Sequence, residues 1–263
     1  MRLALGLEYD GGPHCGWQSQ PCGCGIQDKV QASLSSIACE TIVVVAAGRT
    51  DAGVHACGQV AHFDTRAARP PSAWVRGVNT SLPESVRVLW AQAVPNDFHA
   101  RFEARSRTYR YWLYNHPVRP ALLGGKVGWH HRPLDAHDMD AAAQALVGEH
   151  DFSSFRAAEC QAPSPVKTLY SASVRRSADY VVFDFTATAF LHHMVRNMVG
   201  CLVCVGAGKV DARWLVGVLA ARDRTLAAPT FAAAGLYLMN VRYDARFGLP
   251  DIGGNGLLPG FES

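Results

Sequence analysis

The chain has 263 residues, 49% of them hydrophobic and 18% charged, which is the composition of a folded protein with a sizeable core. Its formal net charge of only +3 at pH 7 excludes a chain that is basic throughout. No stretch approaches the roughly 18 uninterrupted apolar residues of a membrane span, so no membrane partner is expected.

The eight cysteines do not form a paired zinc framework. Cys201 and Cys204 make one C-x-x-C inside an apolar helical run, which favours buried thiols. Cys22 and Cys24 also lack a second pair. The N-terminal apolar run is broken at Glu8 without a cleavage pattern, so no signal peptide is predicted. These features together predict a protein of the reducing cytoplasm.

The first part of the chain shows strand and helix periodicities in the order β-α-β-β-α-β. Leucines alternate along the first strand, and the first helix carries apolar residues at helical spacing. The predicted elements are a strand at Leu3–Tyr9, a helix at 26–39, strands at Thr41–Ala47 and Gly58–Thr65, a short helix capped by Ser72 and ending at Asn79, and a strand at Val86–Val94.

The second part repeats this order and adds a further helix. Its predicted elements are a strand at Arg107–Asn115, a helix capped by Asp135 and stopped by Gly148, strands at 166–175 and 180–188, a strongly apolar helix over Leu191–Val203, a helix from Asp211, and a last strand at 235–243.

Two repeats of this order predict an α+β fold made of two ferredoxin-like halves that face a cleft. The expected domains are 1–103 and 104–246, and the Gly- and Pro-rich tail at 247–263 is expected to be poorly ordered. The same order also describes the RRM, an RNA-binding module. Neither half carries the aromatic RRM signature, which argues against plain tandem RRMs.

The segment from Ala47 to His55 is the most informative part of the chain. It joins two predicted strands but exceeds the usual length of a hairpin loop. Gly48 and Gly53 bracket an arginine and an acid, Arg49 and Asp51, and permit close approach to a ligand. From the residues alone, a plain Asp-Ala-Gly turn with a solvated arginine is an equally good interpretation.

This segment, Gly48-Arg-Thr-Asp-Ala-Gly-Val-His55, followed by Gly58-Gln59-Val60 and His62-Phe63, resembles the catalytic motif of the tRNA pseudouridine synthase A family. Similarity extends over roughly residues 3–245. The further matching motifs are Leu5–Gly11 with Gly16–Gln18, Asp97–Phe102 with Tyr109–Tyr111, His192–Gly200, and Asp223–Ala228.

The resemblance implies a mixed, mainly antiparallel sheet with a basic cleft, and a homodimer that acts on tRNA without a cofactor. The implied reaction converts uridine to pseudouridine at positions 38, 39 and 40 of the anticodon stem-loop, with base flipping. Asp51 is the implied nucleophile. Attack on the sugar, attack on the base and promotion of a glycal all remain open routes.

Three further residues receive roles from the resemblance. Tyr109 would stack on the flipped uracil and relay the C5 proton. A core tyrosine is the alternative, and Tyr111, which alternates with it on the same face, is a candidate for that structural role. Arg196 would pair with Asp51, and a helix-surface charge is the alternative. Arg49 would guide the flipped nucleotide, and a plain phosphate contact is the alternative.

RNA contacts are implied for the basic and aromatic cluster after the fourth strand and for two other places. A solvated charged face is the alternative for the cluster. The family's pattern is not kept at Pro117 and His130. The implied RNA-binding residues are Arg69, Phe98, His99, Ala100, Arg101, Phe102, Arg105, Arg110, Glu159, Cys160, Gln161, Ala162 and Pro163.

The histidines do not fall at the spacing of metal ligands, so no metal is expected. Two functions of other classes remain as alternatives. A non-catalytic tRNA chaperone would share the basic aromatic surface but would not need Asp51. A hydrolase with a carboxylate nucleophile would need Mg²⁺ or a second carboxylate near Asp51, and the motif offers neither.

Overall fold

The computed structural model describes residues 1–250, and their contacts divide the chain into two compact units. We call 1–105 together with the segment from Tyr237 the N-terminal unit, and Ser106–Leu236 the C-terminal unit. This division differs from the expected boundary after residue 103 mainly at the last strand, which lies with the first unit.

The chain up to Arg105 forms four strands and two helices. In order they are β1 (Arg2–Tyr9), α1 (Ile26–Ala38), β2 (Val45–Ala46), β3 (His55–Asp64), a π-helical turn (Ala73–Gly77) that continues into α2 (Val78–Ser81), and β4 (Val86–Val94).

The remaining elements follow in chain order. They are β5 (Ser106–Asn115), β6 (Gly128–His130), α3 (Ala136–Ala143), β7 (Gly148–Asp151), β8 (Val166–Ser177), β9 (Tyr180–Ala187), α4 (Met194–Gly206), α5 (Ala212–Ala221) and β10 (Leu236–Arg242), with short 3₁₀ turns between several of them.

In the N-terminal unit, β1 is central and pairs antiparallel with both β3 and β4. Strand β10 pairs with β3 in parallel, with Tyr237 opposite His55. One face of α1 is buried through Ile26, Val30 and Leu34, as its apolar spacing predicted. The predicted last strand is therefore confirmed, but its neighbour is a strand formed some 180 residues earlier in the chain.

In the C-terminal unit, β9 pairs antiparallel with β5 and β8, and β8 pairs antiparallel with β7. Strand β6 adds to β5 in parallel. The carboxylate of Asp135 accepts hydrogen bonds from the N–H groups of His137 and Asp138, so the predicted cap of α3 is confirmed. The two units together show the predicted α+β character, with mainly antiparallel strands.

Two local predictions are wrong. Ser72 does not cap a helix: its own backbone is already helical (φ −61°, ψ −30°), because the turn begins at the preceding prolines. The predicted strand Thr41–Ala47 is reduced to β2. The N–H of Ile42 bonds to Ser35 Oγ and that of Val44 to Gln31 Oε1, so side chains of α1 replace strand partners.

The Gly- and Pro-rich tail was expected to begin at residue 247. Phe247 is instead buried and packs edge-on against Phe98, with ring centroids 5.0 Å apart. Residues 251–263 lie outside the part of the chain that the structure describes.

Cys15 and Cys24 are joined by a disulfide, which the sequence pattern did not predict. The loop between them folds back so that their Cα atoms lie 5.5 Å apart. Cys201 is a buried free thiol, as expected. None of the helices found in residues 1–250 has both the length and the apolarity that a membrane crossing requires.

His62 is buried on β3, and its Nδ1 accepts the N–H of Ala100 at 3.1 Å. Burial, assisted by the nearby charges of His99 and Arg2, lowers the pKa of His62 to about 4, from 6.5 for a free side chain. The folded protein therefore keeps this imidazole neutral over a pH range in which the unfolded chain binds a proton.

We expect the free energy of unfolding to decrease as the pH falls from 6.5 towards 4, because protons bind to the unfolded state there. His62→Asn keeps an acceptor for Ala100 but cannot titrate, so it should remove roughly 1–2 kcal/mol of that decrease. Urea unfolding at pH 7.5 and 5 measures the difference, with the exposed His137→Asn as control. Equal pH dependence in wild type and His62→Asn would contradict the expectation.

Candidate active site

The loop between β2 and β3 is fixed by main-chain hydrogen bonds at both ends and in its middle. Ala47 N–H donates to the carbonyl of Val60 (2.8 Å), and Val54 N–H donates to that of Asp51 (3.1 Å). Between them, the carbonyl of Thr50 accepts the N–H of Trp17 (2.9 Å). The residue directly before Asp51 is thus tied to a separate loop that follows β1.

Glycine permits this close approach. Gly16 has φ +90°, and a Cβ there would lie 2.7 Å from the carbonyl oxygen of Thr50. Gly53, with φ +77°, makes the turn that follows Asp51. Both glycines are therefore required by backbone geometry around the aspartate.

A cluster of three buried polar side chains, Tyr9, Thr50 and Gln59, holds the side of the loop that faces the sheet. Tyr9 Oη and Thr50 Oγ1 share a hydrogen bond of 2.9 Å, and Gln59 Nε2 donates to Tyr9 Oη (3.2 Å) and to the Gly48 carbonyl (2.8 Å). Gln59 is fully buried, and burial raises the pKa of Tyr9, which keeps the phenol neutral. The loop is thereby bonded to the side chains of β1 and β3.

Within this frame, Asp51 is half-buried, Arg49 is exposed, and Thr50 between them is buried. The predicted nucleophile therefore sits on a loop whose backbone is held on both sides, with a cation two residues away. This geometry argues against a plain solvated turn, because such a turn needs no buried anchors.

The turn after β4 presents part of the predicted RNA-binding cluster. Phe98 and Ala100 are fully buried, so their side chains offer no surface to RNA. His99 Nδ1 accepts the N–H groups of Arg101 and Phe102 (3.2 Å each), and its ring stacks on Phe102 at 4.2 Å. The Phe102 side chain is 73% exposed.

The other predicted arginines differ in their surroundings. Arg110 pairs with Asp184 (Nε–Oδ1 2.6 Å) on the C-terminal sheet, and Arg175 shares the same carboxylate. Arg105 is exposed and lies 3.4 Å from Asp244. Arg69 is exposed and donates to the carbonyl of Ile37. Arg69, Arg105 and Arg110 all remain predicted RNA contacts.

Tyr109 and Arg196 lie in the C-terminal unit. Tyr109, on β5, is 8% exposed and meets Phe190 edge-on at 5.1 Å. Arg196 is half-buried on the first turn of α4, while Met194 and Val195 pack inward as predicted. Tyr111 is fully buried and donates to the Ala232 carbonyl (2.8 Å), which confirms its structural role. The pairing of Asp51 with Arg196 stays a prediction.

The loop at 159–163 is organised by Arg156, which the sequence did not single out. Its Nη2 donates to the carbonyls of Cys160 (2.6 Å) and Ala162 (3.0 Å). The N–H of His192 points to Cys160 Sγ at 3.4 Å. Glu159, Gln161 and Pro163 are exposed on this loop, while Cys160 and Ala162 are half-buried.

Two segments of the chain match a known family model, and Tyr109 and Arg110 lie between them. Residues 8–103 and 142–244 match the family described as tRNA pseudouridine synthase. The first segment contains the Asp51 loop and the second contains α4 with Arg196. The α+β fold is therefore that of a pseudouridine synthase, a class of isomerases.

Curated relatives agree over nearly the whole chain. Proteins named tRNA pseudouridine synthase A from Thiobacillus denitrificans, Burkholderia vietnamiensis and Methylobacillus flagellatus are 62%, 57% and 57% identical to it. Each alignment covers 95% of this chain, and 96%, 93% and 96% of the respective relative. This chain belongs to the tRNA pseudouridine synthase family, as the resemblance of its motifs indicated.

Sequence reasoning missed Gln59, Tyr9 and Trp17 as supports of the active-site loop. All three lie in motifs that match the family, but nothing in their local pattern distinguishes them from strand and loop residues. A buried glutamine in an apolar strand was the one available signal, because a buried amide requires hydrogen-bond partners.

Gln59→Leu has nearly the same volume but leaves the Gly48 carbonyl and one bond of the Tyr9 phenol unmatched. We expect the free energy of unfolding to fall by about 1–3 kcal/mol. Turnover of tRNA should fall at least about tenfold, because the loop that carries Asp51 loses its anchor.

Thermal unfolding and pseudouridine formation measure these two effects. Gln92→Leu is the matched control. Gln92, on β4, also donates to two carbonyls, those of Phe247 and Gly248, but it is not bonded to the Asp51 loop. Wild-type turnover in Gln59→Leu would show that the anchor is dispensable.

Proposed function

We propose that this protein isomerises uridine to pseudouridine at positions 38, 39 and 40 of the tRNA anticodon stem-loop, with Asp51 as nucleophile. The observation that carries the proposal is the rigidly anchored, half-buried Asp51 loop in a member of the tRNA pseudouridine synthase family. The exact uridines come from the family resemblance and are part of the proposal.

The reaction breaks the N1–C1′ bond of the nucleotide and forms a C5–C1′ bond in its place. The C5 hydrogen is lost and N1 gains a proton, so product and substrate are isomers and no electrons are exchanged. A carboxylate supplies the nucleophile that divides this exchange into two steps. The chemistry is redox-neutral, and the chain provides the reacting group, so we propose that no organic cofactor or metal is needed.

The other proposed residues serve the flipped nucleotide. We propose that Arg49, which is exposed, guides the base as it leaves the helix. Tyr109 supplies an aromatic face for the uracil and a phenol for the C5 proton. Arg196 offsets the cost of burying the negative charge of Asp51, because an opposite charge favours the ionised carboxylate.

We further propose that tRNA contacts the turn that carries Arg101 and Phe102. An exposed phenylalanine stacked on His99 is a preformed surface for an unpaired base, and the Arg101 guanidinium lies 5.8 Å from the Phe102 ring centroid. The exposed Glu159, Gln161 and Pro163 form a second proposed contact. We also propose that the protein acts as a homodimer. A cytoplasmic location is proposed because tRNA is processed in that compartment.

Asp51→Asn keeps the shape of the side chain but removes its charge and nucleophilicity. We expect pseudouridine formation to be abolished while tRNA binding stays within about twofold of wild type, because the carboxylate acts on the reacting bonds. Tritium release from 5-tritiated uridine in tRNA and a filter-binding assay measure the two. Asp64→Asn, a surface carboxylate paired with Arg2, is the control. Substantial residual tritium release by Asp51→Asn would refute the assignment.

Phe102→Ala removes the proposed stacking surface without touching the core. Loss of one base–aromatic contact should weaken tRNA binding roughly five- to hundredfold, with an unchanged thermal unfolding temperature. Val43→Ala, which removes another exposed apolar side chain of the same unit, should bind tRNA as wild type does. Unchanged binding by Phe102→Ala would exclude this turn from the RNA interface.

A further inference from the structure

In the C-terminal unit, the segment Ala227–Ala232 crosses helix α4; we call it the strap. The N–H of Ala228 points to Cys201 Sγ at 3.3 Å. A Cβ on Gly200 would overlap the carbonyl oxygen of Pro229, so only glycine at this position lets the strap lie so close. The strap is thus packed directly on the backbone of α4.

A fully buried amide fastens the strap to the helix. Asn197 Oδ1 accepts a hydrogen bond from Thr230 Oγ1 (2.7 Å), and its Nδ2 donates to the Phe155 carbonyl (2.8 Å). Both the oxygen and the nitrogen of the Asn197 amide are therefore hydrogen-bonded within the C-terminal unit. A buried polar group of this kind specifies one arrangement, because any displacement of the strap leaves it unpaired.

Arg224 completes the fastening. Its Nη2 donates to Asn197 Oδ1 (3.2 Å) and Thr230 Oγ1 (3.1 Å), and its Nη1 donates to the Ala227 carbonyl (3.3 Å). Within residues 1–250, Arg224 forms no ion pair with a carboxylate. Its side chain therefore links α4, through Asn197, to the strap, through Thr230 and Ala227.

The far end of the strap holds Arg196, which immediately precedes Asn197 on α4. The N–H of Phe231 donates to the Arg196 carbonyl (3.2 Å), and Arg196 Nε donates back to the Phe231 carbonyl (2.8 Å). The Phe231 ring meets Tyr111 edge-on at 5.7 Å, and Tyr111 Oη donates to the next carbonyl, that of Ala232. With Nε bonded in this way, the strap constrains the plane of the guanidinium.

We propose that Asn197, Thr230 and Arg224 are positioning residues, which set the direction of the Arg196 guanidinium by fixing the strap. The inference rests on the proposed role of Arg196 as the partner of Asp51. A guanidinium that can rotate away compensates the carboxylate charge for only part of the time, which slows the chemical step without changing how tRNA is held.

Thr230→Val is the primary test, because it removes the hydroxyl and keeps the shape. Single-turnover tritium release should slow about tenfold, with tRNA affinity unchanged. Thr230→Ser should restore the rate, since it returns the hydroxyl. Thr225→Val is the matched control: it removes a hydroxyl that bonds to Asp223 in the same turn but does not touch α4. Wild-type rates in Thr230→Val would overturn the proposal.

A double-mutant cycle distinguishes positioning from general support. If Thr230 acts through Arg196, Thr230→Val should cause no further loss in the Arg196→Ala background. An equal loss in both backgrounds would overturn the positioning role and leave Arg196 itself in place. If Arg196→Ala turns over as wild type does, the proposed function of Arg196 fails, and the positioning proposal fails with it.

Amide hydrogen exchange reports on the strap independently of activity. The N–H groups of Ala228 and Phe231 should exchange faster in Thr230→Val and at the wild-type rate in Thr230→Ser and Thr225→Val. Unchanged exchange in Thr230→Val would show that the buried amide does not hold the strap, whatever the rate of catalysis.

Discussion

The position of the candidate nucleophile Asp51 depends on the hydrogen bonds that fix Thr50. Its carbonyl accepts the Trp17 N–H and its hydroxyl bonds to Tyr9, so the residue directly before Asp51 is fixed from two directions. A nucleophile on a long loop would otherwise sample many orientations, and each lost orientation costs entropy at the moment of reaction. Here the loop loses this conformational entropy when the protein folds, and buried hydrogen bonds compensate for the loss.

The C-terminal unit uses the same device for Arg196. The main chain of Arg196 and its Nε both bond to Phe231, much as Thr50 is bonded through both its carbonyl and its hydroxyl. In each unit a glycine, Gly16 or Gly200, allows the anchoring segment to approach the backbone that it holds. Buried side-chain amides, Gln59 and Asn197, then fasten the two anchors. A rigid frame of this kind suits chemistry that depends on the placement of a few groups.

The exposed residues of the turn after β4 are positioned by the burial of their neighbours. Arg101 and Phe102 are presented on a turn whose neighbours Phe98 and Ala100 are in the core. Alternation of buried and exposed residues in this turn lets one short segment both anchor itself and display an aromatic ring. Arg110, which looks equivalent in the sequence, instead pairs with Asp184 on the sheet, a carboxylate that it shares with Arg175.

Local pattern predicted the elements that depend on near neighbours. The cap at Asp135 and the apolar face of α1 are decided within a few residues, so the sequence was sufficient for them. Prediction failed at Ser72, where prolines upstream had already begun the turn, and at Thr41–Ala47, where side chains of α1 took the backbone bonds. In both cases the residues that changed the outcome, the upstream prolines and the side chains of α1, lay outside the short segment on which the prediction was based.

The sequence by itself determined the α+β class, the order of the longer elements (though not the short strands β6 and β7), the family and the identity of Asp51 as the candidate nucleophile, because these are written in short motifs and periodicities. Only the tertiary structure decided that β10 pairs with β3, that Gln59 and Tyr9 support the Asp51 loop, and that Arg110 is paired. The physical reason is separation along the chain: Tyr9 and Gln59 are 50 residues apart and Arg110 and Asp184 are 74 apart. Contacts of that range are fixed by packing of whole strands, and no local periodicity encodes them.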